Sequence, residues 1–375
     1  MFYKNARIFG SDFRFHTGAF EVVDGKFGAV LPESVPEDAI DLGGATVIPG
    51  LVEVHSHGCA GADFSDGDYE GLKSMAKQYA AWGVTSFAPA SMTLPYDVLE
   101  KAFATAKRLV EENIEGLSVL RGIQMEGPFF CYKKRGAQNA DYLKDPDFEG
   151  FKKLYDGCGG LVRIVDVAPE LPGAVEFVEK ASKLCTVSVA HTDSDYDHAK
   201  EAFSRGATHL THLYNAMPPI HHRDPGVIPA AAENPHVRVE IICDGLHSHP
   251  SAVRLAFGIF GGARMILVSD ALRCSGMPDG EYELGGRKVY LSGGIAKLAN
   301  GTIAGAAANL YECLTNAILF GIDEKDAVRA ATYNPACALG VQDKVGSIAT
   351  GKLADFIVCR SDYSGRRVFI GGKEI

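Results

Sequence analysis

Hydrophobic positions along this chain gather into eight short runs, each closed by a turn. They read VIPGLVEV, VTSFAPAS, VLRGIQMEG, VRIVDVAPE, TVSVAHTD, ATHLTHLYNA, VRVEIICDG and RMILVSDA. Several are apolar throughout, the pattern of strands buried on both faces. Between them lie segments with helical spacing, such as YEGLKSMAKQYAAWG, which Gly83 stops, and PYDVLEKAFATAKRLVEEN. Strand and helix alternate strictly, which predicts an α/β protein with a (β/α)8 TIM-like barrel over residues 48–341.

The two ends read differently. Residues 1–47 show short alternating strands with a hairpin signal at Asp24-Gly25, and the stretch from about Val345 onward repeats that style. Neither end is long enough to bury a core alone. The expectation is therefore one small β-sandwich built from residues 1–47 and 342–375, with the barrel inserted between them.

Composition narrows the function. The formal net charge of −10 disfavours nucleic acid and anionic membrane as partners. No stretch approaches the ~20 apolar residues of a membrane span. The N-terminus lacks a signal-peptide layout. Nine cysteines without a CxxC pair suggest reduced residues, several of them in the core, in a cytoplasmic protein.

Chemistry enters at the ends of the runs. His55 and His57 close the first, Glu126 the third, His191 the fifth, His212 the sixth and Asp270 the eighth. A parallel barrel brings these ends to one mouth, so residues far apart in sequence can share a site. Each alone has a bland reading, as a hydrogen-bonded loop histidine or a capping carboxylate. Together, four histidines and Glu126 form a metal-ligand set that suits Zn²⁺ best, with Fe²⁺, Mn²⁺ or Co²⁺ as alternatives. Asp270 is the expected acid/base beside the water. His209 lies out of strand parity with His212 and is expected to face the helices.

The stretches PGLVEVHSHG, MEGPF, AHTD, THLYNAMPP, DGLHSHP, VSDA and GSIATGKLADFIV resemble the amidohydrolase superfamily, and within it the branch that deacetylates N-acetyl amino sugar 6-phosphates. The resemblance covers essentially the whole chain. It implies hydrolysis of the acetamide of N-acetyl-D-glucosamine 6-phosphate, with Glu126, His191 and His212 on one retained metal site. His55 and His57 correspond to ligands of a second ion, so one or two ions per subunit are implied. Asp270 matches the acid/base. Gln138, Asn215, Ala216, Arg223 and His247 match substrate contacts, Arg223 being supplied across a homodimer interface in relatives. Gln138 stands where most members carry a histidine, which bears on sugar preference. The alternatives are the galacto epimer, a cyclic amidase, a deaminase or isomerase on a similar barrel, and a non-catalytic scaffold.

Overall fold

A computed structural model describes all 375 residues. The eight runs are all strands, and all their pairings are parallel: β1 (Leu51–Glu53), β2 (Val84–Phe87), β3 (Ile123–Met125), β4 (Val162–Val167), β5 (Thr186–Val189), β6 (Ala207–Leu210), β7 (Arg238–Ile242) and β8 (Met265–Val268). β3 through β8 pair in sequence order as one six-stranded arc, and β1 pairs with β2 in a second arc. The third run is broken, because its first half, Val119–Leu120, pairs with β2 instead of continuing into β3. Hydrogen bonds join the arcs on both sides. Gln124 donates its backbone N–H to Pro89 at 3.0 Å, and Asp270 donates to His55 at 2.9 Å.

Alternation along the strands explains the packing. Val239, Ile241, Met265 and Leu267 face the helices within a 67-residue core, whereas Ile164, Ile242, Ile266 and Val268 pack on the other face with Val52 and Val54. Helix Tyr333–Ala338 and the segment after it add Ala336, Leu339 and Val341 to that inner cluster. Next to it, on the same inner parity, Asp166, Ser188, His209 and Glu240 are fully buried polar residues.

Both ends of the chain meet in one eight-stranded sheet. It contains Phe2–Phe9, Phe15–Val23, Lys26–Val30, Ile40–Asp41 and Thr46–Pro49 together with Phe356–Cys359, Arg367–Ile370 and Lys373–Glu374. Asp24 and Gly25 both have positive φ, 49° and 76°, as a two-residue hairpin turn demands. A separate twelve-residue cluster, including Tyr3, Phe20, Phe27, Phe356 and Phe369, fills this region.

One element escaped the sequence pattern. The excursion after β8 folds into a four-stranded antiparallel sheet, Gly280–Leu284, Arg287–Ser292, Ile295–Leu298 and Ile303–Ala306. Its last strand returns to the end of β8: Ala306 donates to the carbonyl of Asp270 at 2.8 Å. Gly305 permits the approach, since a Cβ there would lie 2.7 Å from Leu272 and 3.0 Å from the Asp270 carbonyl oxygen. No helix is long and apolar enough to cross a membrane.

Candidate metal centre

The strand-end residues converge. Glu126 sits in the middle, with its Oε1 3.0 Å from His191 Nε2, 3.3 Å from His212 Nε2 and 3.5 Å from His55 Nε2. Its Oε2 lies 3.2 Å from His57 Nε2. Asp270 Oδ1 is 3.4 Å from His57 Nε2 and 3.7 Å from His55 Nε2. The ligand atoms fall into two overlapping groups, His55–His57–Glu126 and Glu126–His191–His212, each within 4.8 Å.

Backbone geometry aims these side chains. His191, His212 and Asp270 have φ of 46°, 29° and 51°, a left-handed conformation that costs of order 1–3 kcal/mol for a non-glycine residue. Such a residue abandons strand parity. This corrects the expectation for His209, whose ring does not face the helices. It is fully buried on the inner face and bonded to Glu240 at 2.9 Å. Parity counted back from His212 fails because β6 ends at Leu210 and His212 is rotated inward by its own backbone.

The donor set fits a divalent cation. His55 gives its Nδ1 to Glu240 at 2.8 Å, His57 to the Ala90 carbonyl at 3.2 Å, and His191 to the Lys134 carbonyl at 2.9 Å. Each of these contacts fixes the tautomer that leaves Nε2 bare and turned to Glu126. The Nε2 atoms of His191 and His212 stand 3.1 Å apart, a separation suited to two ligands of one ion. His55 Nε2 is buried without a hydrogen-bond partner.

Electrostatics agree. Burial opposes ionisation of Glu126, yet the surrounding imidazoles outweigh it and hold the carboxyl well below its usual range. Desolvation works against a charged His57, but Asp270 and Glu126 carry it up to about 10. Glu126 and Asp270 are thus both held in the charged form, and a bound cation would take the place of the protons on the imidazoles.

Outside the ligands, a cavity of about 410 Å³ opens over the cluster, bordered by Gln138, Asn215, Ala216, His247, Lys134 and the segment Thr302–Gly305. Gln138 is buried. It donates Nε2 to Glu126 Oε2 at 2.7 Å and accepts the Thr93 N–H at 2.7 Å. His247 bonds Asp244 at 2.6 Å; burial lowers its basicity, but Asp244 more than offsets this and raises it. Arg223 stands apart, on an exposed loop where it donates to His222 at 2.7 Å, and it does not border the cavity of its own chain.

Sequence reasoning missed Glu240, the Lys134 carbonyl and the Thr302–Gly305 wall of the cavity. Glu240 carried one usable signal: an acidic residue at an inward position of the otherwise apolar run VEII. Nothing in the sequence announced the other two.

Comparison with known proteins places this geometry. Residues 46–375 match the amidohydrolase family. An N-acetylglucosamine-6-phosphate deacetylase from Bacillus subtilis (strain 168) is 36% identical over 360 residues, covering 92% of this chain and 89% of that protein. An N-acetylgalactosamine-6-phosphate deacetylase from Escherichia coli O157:H7 is 29% identical, covering 94% and 93%. Among solved structures, a mutant N-acetyl-D-glucosamine-6-phosphate deacetylase from Mycobacterium smegmatis, in complex with N-acetyl-D-glucosamine-6-phosphate, superposes with a TM-score of 0.94. It is 31% identical, with 100% of this chain and 98% of that chain covered. With its sequence matched over nearly its whole length, the chain belongs to the amidohydrolase family.

Proposed function

We propose that the chain hydrolyses N-acetyl-D-glucosamine 6-phosphate to glucosamine 6-phosphate and acetate, a step of amino sugar metabolism. The observation that carries this reading is the placement of Asp270 beside four converging imidazoles and Glu126, at the floor of a cavity of about 410 Å³. The names of the relatives supply the substrate.

The two overlapping ligand groups support a two-ion centre, with Glu126 shared: His191 and His212 on one ion, His55 and His57 on the other. Nitrogen-rich ligation favours zinc, ahead of iron, manganese or cobalt. When bound, the metal supplies an acidified water and an electrophile for the acetyl oxygen. The chain's own groups do the rest. Asp270 takes the proton of the attacking water through an oxygen that also faces His57. As the C–N bond breaks, the same carboxyl returns that proton to the departing nitrogen, which leaves as the neutral amine. The acyl carbon departs as acetic acid, whose remaining proton passes to the released amine, giving acetate and the ammonium form. Gln138 holds Glu126 with its amide N–H, and so shapes the pocket near the acetyl group. Asn215, the backbone at Ala216 and His247 border the sugar side of the cavity and bind the hydroxyls and phosphate.

Three architectural readings accompany this. The two parallel arcs, joined by hydrogen bonds on both sides, constitute a closed (β/α)8 barrel spanning residues 48–341. Residues 1–47 and 342–375 form a separate β-sandwich domain, a view supported by the twelve-residue cluster drawn from both ends. The active form is a homodimer in which Arg223, exposed on its own subunit, reaches the phosphate bound by the other; a guanidinium suits that role through its planar fork of donors. Nine unpaired cysteines are in keeping with a reducing, cytoplasmic setting.

Acetate release from a panel of N-acetyl hexosamines, with and without the 6-phosphate and in gluco and galacto form, tests the assignment. Turnover selective for the phosphorylated gluco substrate is the expected result. Indifference to the phosphate would overturn it.

A further inference from the structure

One buried carboxylate behind the metal centre is left unused by the reaction described above. Glu240 lies at the inward face of β7, with no solvent exposure, one inward position before Ile242. Its Oε2 accepts from His55 Nδ1 at 2.8 Å and from the backbone N–H of His212 at 3.2 Å. Its Oε1 meets His209 Nε2 at 2.9 Å, and its backbone carbonyl accepts from Leu213 at 2.8 Å. Glu240 therefore touches one ligand from each of the two metal groups, the ring of His55 and the backbone of His212.

A structural explanation is hard to sustain. Burying a carboxylate with two imidazoles costs more than filling the same space with aliphatic side chains, as the neighbouring inner cluster does. Comparison of the four ligand histidines points elsewhere. His57 and His191 are oriented by neutral backbone carbonyls, and His212 Nδ1 has no partner. Only His55 is backed by a carboxylate. Such a contact fixes the ring and raises the basicity of the nitrogen that faces the metal.

We infer that Glu240, braced by His209, is the positioning residue that makes His55 a ligand and so equips the site with its second ion. His209 holds the far oxygen of Glu240, so the carboxylate cannot rotate away from His55. The backbone contact to His212 ties the spacing of the two ions to the same carboxylate. This inference rests on the two-ion reading above.

The test is metal titration of apo-protein reconstituted with Zn²⁺ or Co²⁺, comparing wild type with Glu240→Gln, His209→Gln and His55→Ala. Glutamine at 240 keeps the shape and an amide oxygen toward His55; it removes the charge and, because its amide N–H faces His209 Nε2, it reverses that one hydrogen bond. The expected result is a loss of about 10–100-fold in affinity for one ion, with the other ion unchanged. The visible spectrum of the Co²⁺ protein should change only for the weakened site. His209→Gln should weaken the same ion by a smaller factor. Adding Glu240→Gln to His55→Ala should produce no further loss. Two tightly held ions in both Glu240→Gln and His209→Gln would overturn the relay alone, as would equal weakening of both ions. A wild-type protein holding a single ion that His55→Ala leaves untouched would overturn the two-ion reading and the relay together.

Discussion

The rim of the parallel strands and the terminal sheet are both buried, and they are filled with opposite materials. At the rim, four imidazoles crowd Glu126 and Asp270, with Glu240 behind them, and nearly every contact is polar. In the terminal sheet, Phe356 touches Tyr3, Phe20, Phe27 and Phe369 at ring-centroid distances of 4.4–5.9 Å, with no charge among the five. The aromatic cluster gains free energy from area removed from water and from ring packing. The rim spends such energy, because like-charged and desolvated groups are held together by left-handed backbone at three positions. Stability and chemistry are thereby placed in different parts of the same chain.

Removing one group from each region should break them in different ways. Asp270→Asn keeps the size of the side chain and the capacity to accept a hydrogen bond, but it cannot take up a proton. Turnover should fall on the order of 10²–10⁴-fold, with metal content and melting temperature close to wild type. Near-normal kcat in that variant would remove Asp270 from the mechanism. Phe356→Ala should do the reverse. Loss of a fully buried ring costs about 3–5 kcal/mol of stability, read by denaturant titration, whereas activity of the folded fraction at low temperature should persist. Equal loss of kcat in the folded fraction would show that the two regions are coupled.

Metal removal probes the rim without altering the chain. An ion that binds only the folded state adds about 4 kcal/mol when present at a thousandfold excess over its dissociation constant. Chelation should therefore lower the melting temperature of wild type, and His191→Ala should blunt that response. Phe356→Ala should melt lower overall while retaining the full chelator response. An identical shift in wild type and His191→Ala would place the ion elsewhere.

The contrast between the regions also governs what could be read from sequence. Eight apolar runs with helical spacers revealed the parallel strands, because a strand buried on both faces leaves a continuous hydrophobic record. His55, His57, Glu126, His191, His212 and Asp270 were legible for the same reason: each interrupts such a run at its end. His209 was misjudged, since parity holds only while φ stays in the extended region, and the left-handed turn at His212 has no signature in residue identity. The antiparallel sheet over residues 280–306 was lost among polar and glycine residues, its apolar positions being few and spaced by turns. Lys134 contributes to the site through its carbonyl, which every residue possesses, so its identity held no clue.

A smaller effect lies where the terminal sheet meets the rest of the chain. Arg7, on the strand Phe2–Phe9, donates to Glu324 at 2.7 Å, and Glu324 begins the helix Glu324–Ala331. Tyr363 donates to the same carboxylate at 2.8 Å. Burial alone would raise the carboxyl, but the hydrogen bonds from Arg7 and Tyr363 and the Arg7 charge prevail and lower it. A carboxyl depressed on folding stabilises the protein above its unfolded value of about 4.3, and that contribution disappears as pH falls through the folded value. The pair is partly open to solvent, which limits its worth to about 1 kcal/mol or less. Glu324→Gln should accordingly melt slightly below wild type at pH 7, and the gap should narrow as the pH is brought down through 4. A gap that stays constant across that range would mean that the link between the terminal sheet and the helix Glu324–Ala331 depends on shape and hydrogen bonding, with no contribution from charge.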